Sequence, residues 1–120
     1  MDGLLKGDRR ALGKLITLVD DATPEGKEAI VKLFAKTGRA QIVGVTGSPG
    51  VGKSSLINAL VKKLREQKKT VGIVAVDPSS PFSGGALLGD RIRMQDHFTD
   101  EGVCIRSLGS RGSLGGLSKS

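Results

Sequence analysis

Gly47-Ser48-Pro49-Gly50-Val51-Gly52-Lys53-Ser54 fills every fixed position of the pattern G-x-x-x-x-G-K-[ST], and its flanks narrow what the chain can fold into. Residues 41–46 (QIVGVT) form a short apolar run that reads as a buried strand. Beyond the loop, Leu56, Ile57, Leu60, Val61 and Leu64 recur at helical spacing and predict a helix from about Lys53 to Gln67. Residues 71–76 (VGIVAV) predict a second, near-continuous apolar strand. Strands apolar on both faces belong to parallel sheets, and this β–loop–α–β stretch is long enough for the right-handed crossover such strands require. The expected class is α/β, with a P-loop NTPase-type parallel sheet.

The residue types in the loop have a chemical reason. Glycines let the backbone curl so that successive N–H groups point inward at an anion. The helix that follows adds its positive N-terminal end. Lys53 is expected to reach the β- and γ-phosphates of a nucleoside triphosphate, and the Ser54 hydroxyl to ligate Mg²⁺. A Gly-rich turn can match the pattern by chance; a strand before it and a helix after it are the context that separates the two readings. Asp77 follows the second strand directly, at the carboxyl end where ligands of open α/β sheets bind. A carboxylate there either holds Mg²⁺ or its water, or starts an Asp-Pro turn. Asp90, Arg91 and Arg93 follow Gly84-Gly85. They read either as a switch-like loop that orders around a γ-phosphate and its metal, or as a helix start with solvated arginines, and spacing alone favours the helix start.

Upstream, Asp8 is a candidate N-cap for a helix over residues 8–20, with Leu12, Leu15, Ile16 and Val19 on its inner face. Thr23 and Pro24 open a second helix with Ala29, Ile30, Leu33 and Phe34 as its stripe and Gly38 as its stop. Residues 1–39 thus read as an N-terminal helical extension and 40–120 as the nucleotide-binding part. Downstream, residues 77–86 read as a loop, 88–98 as a short helix, 103–106 as a third strand, and 107–120 as a Gly- and Ser-rich end that includes Arg111.

Aromatic residues make up only 2% of the chain, so its core must be aliphatic. The net charge of +7 divides almost evenly between the two halves. Only Lys62, Lys63, Arg65, Lys68 and Lys69 cluster, where cations complement the C-terminal end of a helix, so the charge reads as a solvated helix end and not as a nucleic-acid surface. Cys104 is the single cysteine and lies in an apolar run, which predicts packing; the absence of an internal disulfide suits a reducing compartment. His97 is the single histidine and has no Cys or His at ligand spacing. No apolar run is long enough to cross a bilayer and no targeting segment is recognisable, so the expected location is the cytoplasm.

Four segments carry a more specific resemblance: GDRRALGKLITLVDD (7–21), GVTGSPGVGKSSLINAL (44–60), DPSSPFSGGALLGDRIRM (77–94) and RSLGSRGSLGGLS (106–118). In this order they resemble the MeaB/ArgK-type P-loop GTPases, G-protein chaperones of adenosylcobalamin-dependent methylmalonyl-CoA mutase, some of which were named as transport-linked ATPases or kinases. The resemblance implies a GTPase that binds GTP and GDP with Mg²⁺, a mutase partner and a homodimeric whole protein. It implies phosphate contacts at 47–54 and Ser55, Mg²⁺ on Ser54, and Asp77 and Asp90 in or beside the metal and γ-phosphate site. Arg91, Arg93, Arg106 and Arg111 receive no role from it. A Walker B carboxylate strand after residue 106, an [NT]-K-x-D guanine-reading motif and C-terminal dimerisation helices are not found in these 120 residues. The chain is therefore expected to be the N-terminal portion of such a protein, with its α/β domain truncated. The alternatives are a P-loop ATPase or kinase linked to amino-acid transport, or a nucleotide-binding fragment without turnover.

Overall fold

A computed structural model describes residues 2–48, 50–77 and 97–109. Along the chain run α1 (Asp2–Leu5), α2 (Arg9–Asp20), α3 (Pro24–Phe34), α4 (Lys53–Glu66), β1 (Val71–Asp77) and β2 (Val103–Gly109). They fall into two compact units, one within Met1–Gly44 and the other within Val45–Ser118.

The first unit is helical. Asp8 caps α2: its carboxylate accepts from the backbone N–H groups of Arg10 (2.8 Å) and Ala11 (3.4 Å), satisfying amides that no helical carbonyl can reach. Leu12, Leu15, Ile16 and Val19 are half-buried, as their spacing requires. Thr23 caps α3 and closes the corner at once. Its hydroxyl accepts from Gly26 N–H (3.1 Å) and donates to the Leu18 carbonyl (2.9 Å). Of the expected α3 stripe, Ala29 and Leu33 are half-buried, whereas Ile30 and Phe34 are exposed. The helix ends at Phe34, ahead of Gly38. The N–H groups of Lys36 and Thr37 turn back onto Leu33 and Phe34, and the Thr37 hydroxyl also donates to Phe34, so the last carbonyls are taken in tight turns before the glycine is reached.

The second unit is α/β. Strands β1 and β2 pair in parallel from Val71 opposite Val103 to Asp77 opposite Gly109, joined by residues 78–102. The connection is long because parallel neighbours need a crossover. Helix α4 packs against β1. Val61 of α4 and Val103 of β2 are each only 2% exposed, the most deeply buried apolar side chains among the described residues. Strand β2 runs three residues further than the apolar run alone predicts. Parallel pairing with β1 carries Ser107, Leu108 and Gly109 into the ladder whatever their intrinsic preference.

The expected strand over residues 41–46 does not form. These residues have no regular structure, and Ile42 is 92% exposed. β-Branched side chains favour a strand, but a ladder needs a second backbone, and among the described residues none lies alongside. The expected helix over 88–98 lies outside the described residues except at its end, where His97 opens a short turn.

Candidate nucleotide-phosphate site

In the loop that leads into α4, two glycines adopt conformations that other residues resist: Gly50 (φ 79°) and Gly52 (φ 92°) are left-handed. Gly52 is also the N-cap of α4, and no side chain caps that end. A Ser, Thr or Asp there would cover the first-turn amides with its own oxygen; glycine leaves them for an external anion. Lys53 is the first residue of α4, and its ammonium donates back to the Gly47 carbonyl, so its side chain spans the loop. Gly47 is closely hemmed: a β-carbon there would lie 3.2 Å from Val51 Cγ2 and 3.4 Å from Lys53 Cδ. Ser54 is half-buried and Ser55 exposed. Uncapped amides, one ammonium and one hydroxyl suit a polyphosphate with a hard cation.

The expected site residues are thus continuous from Gly47 through Ser55 apart from Pro49, which lies outside the described residues. Asp77 closes β1 at the carboxyl end of the sheet, beside Gly109 of β2. Asp90, Arg91, Arg93 and Arg111 lie outside the described residues, and Arg106 stands in β2. Among the described residues no group of three or more His, Cys, Asp or Glu side chains gathers to hold a metal, and no helix is long and apolar enough to cross a membrane. Cys104 is a half-buried free thiol on β2.

A second polar cluster lies further along α4 and corrects the reading of Arg65 as a solvated cation. Arg65 Nε donates to Asp100 Oδ2 at 2.9 Å, and its Nη1 donates to the Lys69 carbonyl at 2.6 Å. Asp100 also accepts from Gly102 N–H at 2.8 Å. The Arg65 hydrogen bond first, and the Gly102 one second, hold the Asp100 carboxyl below its usual range, while the same pair raises Arg65. His97 is 8% exposed, and its Nε2 is hydrogen-bonded to Asn58 Oδ1. The sequence does contain a signal for this cluster. Asn58 and Arg65 stand seven residues apart, on one face of a helix, with apolar Val61 between them. What it lacks is any mark of the partners, which belong to a turn some forty residues later.

Comparison with known proteins identifies the family. The family described as Methylmalonyl Co-A mutase-associated GTPase MeaB matches residues 12–120. A putative GTPase of Pyrococcus horikoshii is 60% identical over 119 residues, covering 99% of this chain and 38% of the relative. GTPase ArgK of Escherichia coli is 38% identical over 120 residues, covering 97% of this chain and 36% of its own length. The mitochondrial methylmalonic aciduria type A homolog of Caenorhabditis elegans is 38% identical over 131 residues, covering 97% of this chain and 33% of that protein. The chain therefore spans little more than a third of the length of these relatives. With the family model matching residues 12–120 and relatives such as these along almost all of its length, this chain belongs to the MeaB family of GTPases.

Proposed function

We propose that residues 47–55 bind the phosphates of Mg·GTP, and that the whole protein hydrolyses GTP to gate cofactor loading or protection of a cobalamin-dependent mutase. The observation that carries the phosphate reading is the start of α4. Its N-cap is a left-handed glycine, no side chain covers its amides, and a lysine follows immediately. The amides and the helix end bind phosphate oxygens, and the Lys53 ammonium leaves the Gly47 carbonyl for the β- and γ-phosphates. Bound Mg²⁺ would be held by Ser54 with Asp77 and Asp90, and supplies charge neutralisation on the phosphates. The family and its relatives are described as GTPases, which supports guanine; the mutase is the partner in the family's description. Hydrolysis in the whole protein is attack of water on the γ-phosphorus, with Lys53 offsetting the charge that develops on the transferred group. The whole protein is proposed to act as a homodimer in the cytoplasm.

Lys53→Ala is expected to abolish binding of Mg·GTP while leaving the fold intact, because Lys53 stands at the start of α4 with its ammonium turned onto the loop and is not one of the buried core residues. Calorimetric titration beside circular dichroism checks this, and unchanged affinity in the folded variant would overturn the phosphate reading. In a full-length relative, Asp90→Ala is expected to weaken Mg·GTP binding or turnover more than GDP binding; equal effects would make Asp90 a helix cap. Labelled γ-phosphate appearing on an acceptor in place of water would indicate a kinase.

A further inference from the structure

We propose that Asn58 and His97 are a positioning pair for the nucleotide site, fixing α4 in register so that Lys53 and Ser54 stand where the phosphates require them. The inference rests on the phosphate reading above and extends it to two residues outside the loop. Helix α4 begins inside the site and runs through Glu66, yet apolar packing does little to fix its place. Val61 is its only fully buried residue, and Leu56 and Leu60 are exposed (61% and 41%). Apolar contact is non-directional and leaves such a helix free to slide or turn by a fraction of a residue. Directional bonds prevent that.

The helix has such bonds at two points on one face. Asn58 is held by His97, and two turns later Arg65 is held by Asp100, with Val61 between them. Both partners belong to one short turn, in which Asp100 N–H reaches the His97 carbonyl and Val103 N–H reaches the Asp100 carbonyl as β2 begins. Gly102 completes the fit. A β-carbon there would strike the Arg65 guanidinium, which Asp100 and the Lys69 carbonyl already hold in place. The end near Arg65 anchors the helix to the entry of β2. The end near Asn58 lies five residues from Lys53, within two turns of the phosphates, and sets the remaining freedom of the loop-bearing end. His97 is buried, so its bond to Asn58 is made away from competing water. Phosphate contacts lose strength steeply with misplacement, and a displaced helix start loses several at once.

The test is a double-mutant cycle on nucleotide affinity. The chain and its Asn58→Ala, His97→Ala and double variants are titrated with Mg·GTP and Mg·GDP, well below each thermal midpoint. Each single variant is expected to bind about 3- to 10-fold more weakly, and the double variant no more weakly than either, since one hydrogen bond is being removed. His97→Gln, which keeps a donor for Asn58 Oδ1, is expected to restore most of the affinity; it also carries the test if His97→Ala does not fold. A purely structural role would lower thermal midpoints and leave the affinity of the folded variants unchanged, overturning the proposal. Additive losses in the double variant would overturn it too. Should the unaltered chain bind no more tightly than Lys53→Ala, the phosphate reading and this inference fall together; should it bind normally while His97→Ala binds equally well, only this inference falls.

Discussion

A methyl group added at Gly26 would stand 2.5 Å from the carbonyl oxygen of Leu18, inside any allowed contact, and the obstacle is backbone that cannot swing aside. Gly26→Ala must therefore push α3 away from α2 or break the Thr23 bonds that close the corner. A loss of about 1–3 kcal/mol is expected, read as a lowered denaturation midpoint. An unchanged midpoint would show that the corner yields freely. At this scale the sequence is informative where a residue acts on its own neighbours. Asp8 and Thr23 are legible as caps because the amides they satisfy lie two or three residues away. Gly26 is not, since what it avoids depends on how two helices meet. The glycines of the loop lie between these cases: the motif demands Gly52 and leaves the place of Gly50 open, and the left-handed φ of both gives the reason for a glycine at each.

Among the elements, α4 and β1 come within a residue of their expected bounds because each carries its own apolar period. The run at 41–46 has equally clear composition and forms no strand, since a strand is completed by a neighbour and not by its own residues. The same contrast separates the two polar features of α4. Lys53 and Ser54 are readable from spacing, whereas Asn58 and Arg65 take their meaning from His97 and Asp100. Asp100 gives this element a pH dependence. Its carboxyl titrates lower when folded than when unfolded, chiefly through Arg65, so the native state favours the ionised form. The resulting stability is fully present above the ordinary carboxylate range and is lost as the pH falls through the lower, folded value. Asp100→Asn is expected to lower stability at neutral pH and to flatten part of the acid limb of a stability–pH curve. Parallel curves for the two proteins would mean that the pair does not contribute.

Across the molecule little is fully enclosed: two apolar side chains, Val61 and Val103, among the described residues, against an exposed set that includes Val31, Phe34, Ile42 and Val43. The fold class was legible because loop, helix and parallel strand are each encoded locally; the depth of the core was not, because burial belongs to the assembled structure. Residues 34–48 are exposed without interruption and, after Phe34, contain no helix or strand. A protease must draw its substrate into an extended conformation, and apart from the tight turns at Lys36 and Thr37 this stretch has no helix or ladder to resist it. Within it stand Lys36 and Arg39. Brief trypsin treatment is expected to cut there before it attacks the lysines and arginine within α4, leaving a helical piece and a loop-bearing piece. Earlier cleavage within α4 would contradict this. If the larger piece keeps its affinity for Mg·GTP, the phosphate site is a portable module that needs no helical extension, and the boundary at which to divide the chain has already been marked by the enzyme.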